Sequence, residues 1–242
     1  LVDDFSDLFG MNAAGTDAKM RNTKESILEA QFTSGAGNWC TWMFGRDLVN
    51  WNNNFTWAKW VTPSRDLISA FKQEGDEVRF KESIVYYDCN WSNYYPSDNY
   101  PFMYKCRSAN SSIIKYRYAD VLLLKAEALI MQDTPDLEGA ADIIDKVRDR
   151  AKLGALPTSV RSNKNAMLNA LLKERRLELA FEGQRWFDLV RLDKVEEVMN
   201  AVYAKDSGRK AQIYTFDKNS YRLPIPQSVI DANDKIHQNP GY

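Results

Sequence analysis

Lys115-Tyr-Arg-Tyr-Ala-Asp120-Val-Leu-Leu-Leu-Lys-Ala-Glu127-Ala128 decides the fold. From Tyr118 to Gln132 the apolar residues Val121, Leu122, Leu124, Leu129 and Ile130 are interspersed with Ala119, Ala126 and Ala128. This is a helix whose small residues admit a close neighbour. The neighbour follows at once. Thr134 reads as an N-cap with Pro135 at the first helical position, opening a helix over Pro135–Lys152. Its apolar positions Leu137, Ala140, Ala141, Ile144, Val147 and Ala151 keep a 3/4 spacing, and Gly154 reads as its closing C′ glycine. Together the two form an αα-hairpin about the size of one tetratricopeptide-type unit. One unit makes no repeat array.

Downstream, Lys164–Glu182 reads as a third helix stopped by Gly183, with one or two shorter helices over Gln184–Met199. The tail from Tyr214 to Tyr242 reads as non-helical, packed in extended form along the helices. Upstream the composition changes. Residues 1–112 are rich in Asn, Ser, Gly, Trp and Tyr. Asn22–Phe32 suits either a short strand or a short helix. Pro63–Glu74 reads as a helix capped by Thr62, and Val78–Tyr87 alternates like a strand or hairpin arm. The remainder reads as long polar-aromatic loops, a class usually functional when ordered. The chain is therefore expected to be mainly α with minor β. Residues 1–112 form a loop-rich ligand-binding portion, and residues 113–242 a helical scaffold with an extended tail.

The 242 residues carry 32 Lys+Arg against 33 Asp+Glu, a formal net charge of -1. No basic excess is available to neutralise phosphates, so no nucleic-acid partner is expected. The longest nearly uncharged run, Ser26–Arg46, is broken by Glu29 and falls short of a membrane span. The sequence starts at Leu1 without a signal-peptide pattern and reads as a mature or cut-down product. Cys40, Cys89 and Cys106 form no CxxC pair, and His237 is the only histidine. A zinc site or a His-based triad is thus not expected. Phosphate-loop, dinucleotide, HExxH and EF-hand motifs are all absent. Asp3, Asp4, Asp7 and Asp17 could hold calcium but lack calcium-loop spacing and read better as solvated loop acids, so no cofactor is expected and calcium is not predicted.

The chain holds 7 Trp, 12 Tyr and 11 Phe, and five of the tryptophans (Trp39, Trp42, Trp51, Trp57 and Trp60) lie between residues 39 and 60. A sugar ring presents C–H bonds on one face and hydroxyls around its rim. An exposed indole covers the face, while amides, carboxylates and guanidinium groups take the hydroxyls. Arg46, Asp47, Asn52 and Asn53 supply those groups beside the tryptophans. The competing reading places two or three of the five indoles in the core. Tyr86-Tyr87-Asp88-Cys89-Asn90-Trp91-Ser92-Asn93-Tyr94-Tyr95 is a second aromatic patch, in which Tyr86 reads as core.

Glu174, Glu178 and Glu182 share a helical face at i, i+4, i+8 and invite a glycosidase reading built on paired carboxylates. The stronger reading is a semi-buried ion network with Arg175, Arg176 and Arg185 that fixes helix packing. No catalytic residue is expected.

Four stretches resemble one family. Lys115–Ala128 resembles the RYAEVLLxxAEA segment of the SusD/RagB family, and Ile144-Asp-Lys-Val-Arg148-Asp-Arg150-Ala151 its INxVRxRA. Glu174-Arg175…Glu178-Leu179…Phe181-Glu182-Gly183…Arg185…Asp188-Leu189…Arg191 is similar to ERxxELxFEGxRxxDLxR. Leu223-Pro224-Ile225-Pro226 and Gln238-Asn239-Pro240-Gly241-Tyr242 resemble the terminal PIP…QNPGY, and Thr62-Pro63-Ser64…Asp66-Leu67 a threonine-proline segment of that family. Asp120 stands where the family commonly has Glu, which keeps the charge. The motifs span roughly residues 62–242, and the chain resembles the C-terminal half of a family whose members are usually about twice this long.

The resemblance implies a SusD-like, tetratricopeptide-like helical scaffold carrying long aromatic-rich loops. It implies a non-catalytic receptor of Bacteroidetes in polysaccharide utilization, held at the outer-membrane surface as a lipoprotein through an N-terminal part not present here. Such a receptor works with a SusC-like TonB-dependent transporter in nutrient uptake. Glycan sites of the family are aromatic arcs on exposed loops, which suits residues 39–60. A protein- or peptide-interaction module of the same uptake system is the alternative, and a glycoside hydrolase the remoter one.

Overall fold

A computed structural model describes residues 1–33, 37, 62–88, 95–205 and 215–242. Two compact units emerge, Leu1–Gln184 and Arg185–Tyr242, and the change of composition at residue 113 falls inside the first. The described residues are mainly helical with four short strands, the class expected.

In the first unit, α1 (Ser6–Phe9) precedes β1 (Ser26–Ala30), which resolves the ambiguity of Asn22–Phe32 in favour of a strand. β1 pairs antiparallel with β4 (Ile113–Arg117), with register irregularities on either side of Leu28. Between them lie α2 (Arg65–Glu74), α3 (Glu77–Ser83), and an antiparallel pair of β2 (Ile84–Tyr87) with β3 (Tyr100–Met103).

Two expectations need correction here. The cap of α2 is Ser64, whose Oγ accepts the Leu67 N–H at 3.1 Å, while Thr62 and Pro63 lie before the helix. Residues Val78–Tyr87 are half helix. Asp76 caps α3 through the Arg79 N–H, sending Val78 and Phe80 to different apolar clusters, and only Ile84–Tyr87 is strand. A short apolar run does not itself distinguish the two periods. The capping aspartate does.

The αα-hairpin is α4 (Tyr118–Met131) and α5 (Leu137–Arg150). Leu123, Ala126 and Ile130 of α4 meet Ala140, Ala141, Ile144 and Val147 of α5, with Met167 and Leu171 of α7 closing the cluster. The alanines let the helix axes approach. The cap of α5 is Asp136, not Thr134. Its Oδ1 accepts the Gly139 N–H at 2.9 Å, and a Cβ at 139 would lie 2.3 Å from that carboxylate. The helix closes at Lys152, in the left-handed region at φ 61°, with the Leu153 N–H on the Arg148 carbonyl at 3.0 Å. Gly154 is thus beyond the cap.

After the short α6 (Thr158–Arg161), α7 runs Lys164–Glu178 from an Asn163 cap. It ends four residues before the expected Glu182. The Glu178 carbonyl accepts Arg117 Nη2 at 2.7 Å and Lys105 Nζ at 2.9 Å, so side-chain cations satisfy the helix end. The chain then reverses through Phe181 and Gly183, both at positive φ.

The second unit holds α8 (Arg185–Arg191), α9 (Val195–Lys205), a 3₁₀ turn (Lys218–Tyr221) and α10 (Gln227–Asp231). The tail is therefore not wholly non-helical as expected. Its two motif segments bind each other. Gln238 accepts the Ile225 N–H at 2.8 Å and donates to the Ile225 carbonyl at 2.9 Å, and Asn239 donates to the Leu223 carbonyl at 2.7 Å.

Candidate functional site

Glu178 sits at the centre of a buried ion network. Its Oε1 accepts Arg117 of β4 and Arg150 of α5, and its Oε2 accepts Arg79 Nη1 of α3 at 3.1 Å. Arg117 and Arg150 also clamp Glu25, each at 2.7 Å, and Glu25 accepts the Val2 N–H at 2.9 Å. Glu174 takes Arg79 at 2.5 Å and Arg148 at 3.3 Å. Glu182 takes Arg117 at 2.7 Å and Lys105 at 2.6 Å. Four elements of the first unit (α3, β4, α5 and α7), together with Glu25, Lys105 and Glu182 from the connecting segments, converge on one charge cluster.

Burial disfavours the charge on Glu178, but Arg117, Arg150 and Arg79 overcome it and hold the carboxyl well below its usual range. Burial likewise opposes Glu182, which Arg117 and Lys105 hold down. Glu174 goes the other way, because burial outweighs Arg79 and Arg148. Burial pulls Lys105 down to about 8 despite Glu182.

Glu174 and Glu178 are at most 1% exposed. They lie within packed protein, where a glycosidic bond does not reach. The expected ion network is present, with partners other than those read from the sequence: Arg175 pairs with Asp120 at 2.9 Å and Arg176 with Asp66 at 2.6 Å. The glutamates' partners Arg79, Arg117, Arg150 and Lys105 come from distant elements that helix spacing does not reveal.

Trp39, Trp42, Arg46, Asp47, Trp51, Asn52, Asn53, Trp57 and Trp60 lie outside the described residues, as does Trp91. The structure does describe the stems on which these segments are mounted. Gly37 stands so close to Ala109 that a Cβ at 37 would lie 2.9 Å from the Ala109 methyl. On the far side, Thr62 Oγ1 and Tyr100 OH share a 2.9 Å hydrogen bond, and Tyr95 OH donates to the Pro63 carbonyl at 2.7 Å. Tyr95 is the last residue of the second aromatic patch. Arg65 lies 4.8 Å over its ring, Tyr100 meets it edge-on at 5.6 Å, and Phe102 lies 5.2 Å beyond Tyr100. Thr62 and Pro63, which follow the tryptophan segment, and Tyr95, which ends the second patch, thus share one aromatic cluster with the buried Tyr100 and Phe102. Tyr86, expected in the core, is half-buried at its edge, with Phe80 at 6.3 Å between ring centres.

Among the described residues no group of three or more His, Cys, Asp or Glu is placed to hold a metal ion. The N-terminal aspartates are engaged by cations instead: Asp3 by Lys24, Asp4 and Asp7 by Lys19, and Asp17 by Arg21. Cys106 is buried. No helix among the described residues is long and apolar enough to cross a membrane.

Residues 103–242 match the model of the SusD family. SusD-like protein P38 from Formosa agariphila is 42% identical over 99 residues, covering 38% of this chain and 19% of that protein. A SusD superfamily protein from Parabacteroides distasonis superposes with a TM-score of 0.72 at 24% identity, covering 100% of this chain and 54% of its own. A laminarin-binding SusD-like protein gives a TM-score of 0.68 at 24% identity, with coverages of 100% and 54%. The chain thus spans about half the length of these solved structures. The motif residues Arg117, Arg148, Arg150, Glu174, Glu178 and Glu182 all belong to this network, so these motif positions describe a scaffold. On the match over residues 103–242 and the agreement of fold, the chain belongs to the SusD family.

Proposed function

We propose that the protein is a non-catalytic glycan receptor whose aromatic segment between Gly37 and Thr62 stacks on sugar rings. Trp39, Trp42, Trp51, Trp57 and Trp60 supply the stacking faces, and Arg46, Asp47, Asn52 and Asn53 take the hydroxyls. The loop-rich portion, residues 1–112, is then the ligand-binding part, and residues 113–242 support it. The observation that carries this reading is that Thr62 and Pro63, directly after the tryptophan segment, are hydrogen-bonded to the Tyr95–Tyr100 aromatic pair. The family membership and the laminarin-binding relative support the same reading.

In this account the receptor acts at the cell surface of a Bacteroidetes-type bacterium, lipid-anchored to the outer membrane, and passes oligosaccharide to a SusC-like TonB-dependent transporter. Open aromatic sites bind weakly, and a Kd of about 10–1,000 μM is expected, or roughly -7 to -4 kcal/mol.

Intrinsic tryptophan fluorescence, titrated with α-glucans, β-glucans including laminarin oligosaccharides, mannans and xylans, tests the proposal. A saturable, glycan-specific shift supports it. A folded protein that responds to none of them rejects it and favours the peptide-interaction alternative.

A further inference from the structure

Close in sequence to the stem of the tryptophan segment lies an open cleft of about 500 Å³ lined by the side chains of Thr16, Asp17, Arg21, Gln31, Thr33 and Asn110. Its volume is within the roughly 300–1,000 Å³ range of small-molecule sites. The cleft adjoins the stem through two short links: Thr33 precedes Gly37 by four residues, and Asn110 follows the Ala109 on which Gly37 rests.

The lining residues are tied to their surroundings by hydrogen bonds. Arg21 donates to Ser112 Oγ at 3.0 Å and to the Asn110 carbonyl at 2.8 Å, and pairs with Asp17. Asn110 donates to the Thr16 carbonyl at 3.0 Å, and Gln31 to Asn22 Oδ1 at 2.6 Å. The single positive and single negative charge neutralise each other, so the cleft favours neither an anion nor a cation. Among the described residues it presents two hydroxyls, two amides and a compensated ion pair, and none of those lining residues is aromatic. This suits a neutral polyhydroxylated ring gripped by its rim, which complements a stacking surface supplied elsewhere.

We propose that this cleft is a second saccharide subsite, holding one end of a neutral oligosaccharide whose other rings stack on the tryptophan segment. The inference rests on the glycan-receptor reading and extends it to a longer ligand footprint. Gln31 and Thr33 are both exposed, so a Gln31→Ala/Thr33→Val variant removes two rim contacts without opening the core.

The test titrates β-1,3-, β-1,4- and α-1,4-linked glucohexaoses and β-1,4-mannohexaose into isotopically labelled protein. The side-chain amide signals of Gln31 and Asn110 are followed by NMR, and affinities by calorimetry. The expected result is a saturable movement of both amide signals, with affinity about tenfold weaker in the double variant. The disaccharide of the same linkage is expected to bind the wild type and the variant alike. A hexaose that binds while both amides stay still, with the double variant matching the wild type, overturns the subsite and leaves the receptor reading standing. Movement of the amides together with unchanged affinity in Trp51→Ala and Trp57→Ala keeps the cleft and overturns the tryptophan assignment. A folded protein that binds none of the hexaoses overturns the subsite.

Discussion

Arg117 of β4 and Glu178 of α7, 61 residues apart in sequence, form a buried ion pair at the junction of the first unit's elements. Removing one partner leaves the other charge uncompensated in the interior, a loss of about 3–5 kcal/mol. Glu178→Gln is therefore expected to shift the urea midpoint of the first unit strongly downward. A shift under about 1 kcal/mol would mean that water reaches the network.

Acid should unfold the protein through the same residues. Glu178 and Glu182 are held below the ordinary carboxylate range in the fold, so the unfolded chain takes up their protons first as pH falls. The stability they contribute is complete above the unfolded value, about 4.3, and is lost as pH drops through the folded values. Glu174 and Asp76 are shifted upward and act in the opposite sense. Thermal melts between pH 6 and 3 should fall more steeply for the wild type than for Glu178→Gln. Parallel curves would refute the assignment.

Lys105 predicts an alkaline effect of opposite form. Its folded pKa is pulled down to about 8, against an ordinary value near 10.5. Between those values the unfolded chain binds the extra proton, so this residue's contribution to stability rises with pH. The stability difference between wild type and Lys105→Met should move in the wild type's favour from pH 8 to pH 10. A difference that stays flat over that range would show that Lys105 keeps an ordinary pKa.

The helical hairpin, the caps' approximate positions and the mainly α class were legible because apolar periodicity over ten or more residues overrides local ambiguity. Cap identities were less legible: Ser64 and Asp136 replace Thr62 and Thr134 because several capping residues stand side by side, and only geometry selects among them. The acidic face of α7 was readable as a network, but its partners were not. Arg79 and Arg117 reach Glu178 from 99 and 61 residues away, and no helical period encodes that distance. The tryptophan segment was visible from composition, whereas its anchor, Tyr95 with Tyr100, depends on the β2–β3 pairing.

That anchor yields a separate prediction. Tyr100→Phe removes the hydroxyl that bonds Thr62, which costs about 1 kcal/mol of local stability. Oligosaccharide affinity should weaken a few-fold while the urea midpoint moves little. Affinity equal to the wild type would show that the return stem does not position the binding segment.

The central claim, proposed from the sequence, is that the tryptophans between residues 37 and 62 bind sugar. Calorimetric titration of wild type, Trp51→Ala and Trp57→Ala with the tightest-binding hexaose tests it most directly. The account predicts micromolar to millimolar binding by the wild type and at least tenfold weaker binding by one or both variants, with unchanged melting temperatures. Variants that bind as the wild type does, or that lose binding only because they melt, would contradict it.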